Sequence, residues 1–73
     1  MTDDQFKDLV ERLAYRMALD ELAEINCLGR DAKERIQRWK ESNNQKWLMV
    51  TYAALSACIN LRSMGYLNDY IPT

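Results

Sequence analysis

Seventy-three residues at 8.6 kDa leave room for one small domain, which buries only about 62% of the surface its unfolded chain exposes. An apolar content of 48% and a net charge of −1 exclude a disordered chain, a polybasic nucleic-acid binder and an acidic tail. The absence of histidine removes the commonest general base, most zinc sites and a switch near neutral pH, and two cysteines cannot complete a four-ligand metal site.

Two glycines and one proline are too few to punctuate an all-β fold, so the expected class is all-α. The first helix is expected over about residues 3–28. Thr2-Asp3-Asp4-Gln5 fits a capping box, with three early aspartates against the positive end of the helix dipole. Phe6, Leu9, Val10, Leu13 and Met17 share one face. Ala18, Leu19, Leu22 and Ile25 then form a second stripe, displaced around the helix. With no Gly or Pro at the change of face, a straight helix packed on two sides is expected rather than a kinked one. Gly29 reads as the left-handed stop.

The second helix, about 31–41, opens on a further capping-box pattern, Asp31-Ala32-Lys33-Glu34. It carries a narrow apolar stripe from Leu28 through Ala32 and Ile36 to Trp39. Glu41-Ser42-Asn43-Asn44 is a run of turn formers, and Ser42 with Gln45 suits a third capping box. The third helix, about 44–64, is apolar nearly all round, which predicts burial. One of its stripes is Leu48, Tyr52, Leu55 and Ile59; another is Trp47, Val50, Ala54, Cys58 and Leu61. Gly65 ends it, leaving a short aromatic tail over 65–73. No repeat or linker interrupts the chain, so residues 1–73 read as one helical domain.

Charge is unevenly spread. Residues 1–28 hold seven acids against three bases, and residues 29–46 hold six bases against three acids. An acidic face of Asp4, Glu11, Asp20, Glu21 and Glu24 is therefore expected on the first helix. Arg30, Lys33, Arg38 and Lys40 give the second helix its basic character. A helix-turn-helix is not supported, because Ile25 stands where a small residue is needed and Glu24 where an apolar one is. The carboxylates of the first helix have no nucleophile or phosphate-cradling loop beside them, so they read as a solvated face and not as an acid–base pair. Cys27 and Cys58 read as free thiols. Polar, acidic residues stand where a signal peptide has its basic region, and the longest uncharged stretch, Trp47 to Leu61, is 15 residues. The expected location is cytoplasmic, with no membrane partner.

These readings converge on a non-catalytic interaction protein without cofactor or metal. It would be a regulator or inhibitor that binds and occludes a macromolecular partner, of the kind phages and plasmids encode. The third helix carries more apolar surface than two amphipathic helices can cover, so a homodimeric helical bundle is expected. Trp47, Val50, Ala54, Cys58 and Leu61 are its expected seam, while Tyr66, Tyr70 and Ile71 of the tail are candidate docking groups. The alternative is a nucleic-acid-binding accessory protein using the basic second helix.

Overall fold

The computed structural model describes residues 2–66. Among them are three α-helices and no strand: α1 (Asp3–Ala23), α2 (Gly29–Glu41) and α3 (Gln45–Ser63). The first capping box forms as its sequence dictates. The Gln5 amide donates to Thr2 Oγ1 at 3.2 Å, and the Thr2 amide donates to Gln5 Oε1 at 3.0 Å. Two of the helix's otherwise unpaired N-terminal donors are thereby satisfied.

All three helices end in the same way. Asn26, Asn43 and Gly65 each adopt positive φ, at 59°, 52° and 81°. The amide that follows each one reaches back five residues: Cys27 to the Leu22 carbonyl, Asn44 to that of Trp39, and Tyr66 to that of Leu61. This left-handed stop satisfies carbonyls that the helix itself leaves open. Gly65 takes the role its sequence position gives it. Gly29 does not: asparagine tolerates the left-handed region, so Asn26 stops the chain first and α1 ends at Ala23. Gly29 also has positive φ, 61°, but it opens α2.

Two further caps differ from expectation. Because α2 begins at Gly29, Asp31 already lies inside its first turn, and Leu28 stands at the cap without a side-chain bond. Asp31 then acts by its charge on the helix dipole. At the next junction Asn44, not Ser42, caps α3 by accepting from the Lys46 amide at 2.9 Å. The Ser42 hydroxyl donates backwards to the Arg38 carbonyl at 2.8 Å.

Helix α1 is one continuous element whose buried row is Val10, Ala14, Ala18 and Leu22. The fourfold spacing drifts slowly around the helix, which is how the two apparent stripes become one ridge with Phe6, Leu9, Leu13, Met17 and Leu19 packed on its flanks. Ile25 falls beyond the helix and is exposed. Helix α3 offers a matching row of Val50, Ala54 and Cys58. Arg62 lies over the Phe6 ring at 4.2 Å, and at the other end Met17 and Glu21 share a hollow with Lys46, Met49 and Val50. Helices α1 and α3 therefore run antiparallel. Their small residues, Ala14 and Ala18 against Ala54 and Cys58, let the two backbones approach closely.

Helix α2 closes the remaining side with Ala32, Ile36 and Trp39. Among the described residues, four of the ten core residues are alanines, and Leu22, Ile36 and Cys58 are the largest fully buried side chains. A fully buried leucine or isoleucine contributes about 1.5–3 kcal/mol, an alanine methyl nearer 0.8. The core is thus closely packed but small in volume.

Candidate interaction surface

Helix α3 presents its apolar residues in two rows roughly a third of a turn apart. The inner row of Val50, Ala54 and Cys58 is buried against α1. Trp47 is half-buried and packs on the core, while Leu61 is 37% exposed near the end of the helix. The residues expected to join two copies are therefore largely occupied within one chain. Short side chains explain this placement, since they are what permits the α1 backbone to come close. The outer row is open: Leu48 is 54% and Tyr52 74% exposed, Leu55 and Ile59 are exposed beside them, and Met49 flanks the row.

Ten large apolar side chains are exposed among the described residues, and six of them lie on α3. Leu55 also borders an open groove of about 680 Å³ between α1 and α3, with Phe6, Val10, Trp47 and Thr51 on its walls and Asp4, Asp8 and Glu11 at its rim.

The five acids expected to form one face are divided. At 100° per residue, Glu11 lies about 20° around α1 from Asp4, whereas Glu21 lies about 100° and Asp20 about 160° away, and Glu24 stands at the C-cap beyond the helix. Asp4 and Glu11 border the groove, and Glu21 borders the hollow beside Met17 and Met49. Glu11 is bound to Lys40 at 2.8 Å, and Asp20 lies 3.6 Å from Arg16. Among the described residues, only Asp4, Glu21 and Glu24 of the five are exposed without a salt bridge.

The basic set is divided as well. Lys40 turns towards α1, pairing with Glu11 and standing 5.6 Å above the Trp47 ring. Arg30 and Lys33 lie on the outer side of α2, where Glu34 and Glu41 interrupt them. A different group of cations converges: Arg35, Arg38 and Lys46 surround a hollow floored by Trp39, with Ser42 and Asn44 completing its wall and no carboxylate among its lining residues. Lys46 stands 5.7 Å over the Trp39 ring. Residue numbering alone hides this grouping, because Lys46 reaches it from the next helix.

No family model, curated protein or solved structure matches this chain.

The remaining chemistry-bearing groups are few. Both cysteines are free, Cys58 buried and Cys27 half-buried, and burial pushes the Cys58 thiol above its ordinary value. Among the described residues, no group of three or more Cys, Asp or Glu could hold a metal, and no helix is long and apolar enough to cross a membrane. Of the tail residues singled out as docking groups, Tyr66 is exposed at the end of α3, while Tyr70 and Ile71 lie outside the described residues.

Proposed function

We propose that the chain is a non-catalytic helical interaction module that works as a regulator or inhibitor, using an apolar helix face to occlude a macromolecular partner. The observation that carries this reading is the outer row of α3, where Leu48, Tyr52, Leu55 and Ile59 are open to solvent on one side of one helix. The largest apolar patch on a monomer is often functional, and here it is drawn from one side of one helix. Tyrosine at its centre supplies the large, rigid contact area common in binding hot spots. Homodimerisation and occlusion of a second protein both use such a face, and a module of this kind acts in the cytoplasm without cofactor or metal. Asp4, Glu21 and Glu24 supply exposed negative charge for contact with a basic partner.

The test places a photo-crosslinking residue at position 52, on the apolar row, and separately at position 37, where Gln37 lies on the polar side of α2. Adducts that form at position 52, are competed by unlabelled chain and are absent at position 37 are the expected result. Equal adducts at both positions, or none at 52, overturn the reading.

A second reading, a nucleic-acid accessory role, is favoured by the convergence of Arg35, Arg38 and Lys46 around a hollow with no carboxylate in its wall. Three cations neutralising three phosphates give an affinity that falls about as the 2.7th power of salt on duplex DNA. A mobility shift at low salt that weakens when Arg35 and Arg38 become glutamine is expected on this reading; no shift at low salt removes it.

A further inference from the structure

The outer row of α3 has a spacing that the inner row lacks. Leu48, Tyr52, Leu55 and Ile59 advance by four, three and four residues, the alternation of a coiled-coil seam. The inner row advances by fours, as helices do when packed at an angle within a globular core. On a straight helix a sevenfold repeat drifts only about 20° per repeat, so the outer row stays on one line along about 16 Å.

We infer that this row is the seam of a symmetric dimer, with the outer face of α3 packed on the same face of a second copy. The assignment rests on the reading of the chain as an interaction module and makes a second copy the occupant of this face, which leaves the charged surfaces, and not this row, for any further partner.

Three observations favour a second copy over a different protein. First, no charged residue occurs between Trp47 and Leu61. In a two-fold interface the same surface meets itself, so any charge at its centre faces its like. A neutral face escapes that repulsion, and it also lacks the charges by which an interface selects a foreign partner. Second, the area reaches the required scale. From their exposures of 54%, 63%, 74%, 38% and 41%, Leu48, Met49, Tyr52, Leu55 and Ile59 offer at most about 550 Å² per copy, so two copies bury at most about 1,100 Å², at the lower edge of the ~1,000 Å² a specific interface requires. Third, the core formed by the described residues is small, with four alanines among ten buried residues. Joining two outer rows adds a second apolar layer to it.

The experiment is sedimentation equilibrium of the full chain over a hundredfold concentration range, with the helical circular dichroism signal recorded on every variant. The wild type is expected at twice 8.6 kDa. Leu55→Glu and Tyr52→Glu are each expected to weaken self-association by about a hundredfold or more while leaving the helical signal intact. Tyr52 is 74% exposed, so charging it disturbs no contact of the chain's own core even if Leu55→Glu impairs folding. Leu28→Glu, at a site 61% exposed and outside α3, is expected to remain dimeric. A wild type that stays at 8.6 kDa throughout overturns the inference but leaves the interaction-module reading standing, because the face is then free for another protein. A dimer that survives both α3 substitutions also overturns it and moves the seam elsewhere.

Discussion

Helix α3 carries two apolar rows of different character, and among the described residues the inner one is buried while the outer one is exposed. Val50, Ala54 and Cys58 are short, and their shortness brings α1 close. Leu48, Tyr52, Leu55 and Ile59 are long and stand open. Total hydrophobicity therefore does not tell which face of a helix enters a monomeric core. Size does: a row of small residues marks where another backbone fits, while a row of large ones on the same helix projects too far for the same fit and is left for another surface.

The contrast between the rows is broken most severely by placing a charge on each. Ala54→Asp buries an unpaired carboxylate and is expected to cost about 4 kcal/mol, enough to unfold a marginal chain in a urea titration. Tyr52→Asp should change the stability of the isolated chain by no more than about 0.5 kcal/mol at concentrations too low for self-association. Comparable losses at the two positions would show that the outer row also supports the monomer. Next in size is Ala54→Leu, which overfills the close α1–α3 contact and should cost about 2 kcal/mol by the same titration.

The two cysteines sharpen the comparison without altering packing. Cys27 should react with a thiol reagent roughly tenfold or more faster than Cys58, because Cys58 must wait for the inner face to open. The Cys58 thiol has an ordinary value of 9.0, which burial raises in the folded chain. The unfolded chain loses that proton first. The stability contributed by the neutral thiol is therefore fully present below pH 9 and declines as pH rises through the raised value. Urea titrations at pH 8 and above 9, set against Cys58→Ala, measure this decline; an equal decline in the variant would assign it to other groups. The smallest effect belongs to Lys40 and Glu11, whose partly exposed ion pair should be worth about 0.5 kcal/mol and vanish at 1 M salt. Glu11→Gln compared at low and high salt measures it.

Much of this architecture was legible from residue order alone. Scarce Gly and Pro and the period of the apolar residues gave three helices, and Thr2 with Gln5 gave the first cap. The misplaced boundaries share one cause: Asn26 occupies a backbone region usually assigned to glycine, so the stop came before Gly29. The choice between the rows of α3 was not made by periodicity, because both rows satisfy it. The deciding signal lay in α1, where Ala14 and Ala18 provide a close-packing counterpart for Ala54 and Cys58. Charge was the least legible, since it was read along the sequence while the fold arranges it around helices. Asp4 and Asp20 lie on opposite sides of α1, and Lys46 joins Arg35 and Arg38 from a different helix.

The placement of the two tryptophans has a spectroscopic consequence. Trp39 and Trp47 flank the α2–α3 turn, each with a lysine over its ring, and neither belongs to the open row of α3. Intrinsic fluorescence therefore watches a single corner of the molecule. If α2 detaches while α1 and α3 stay together, emission will shift towards the red before the helical dichroism falls. Coincidence of the two signals would mean that this corner and the long helices melt as one unit.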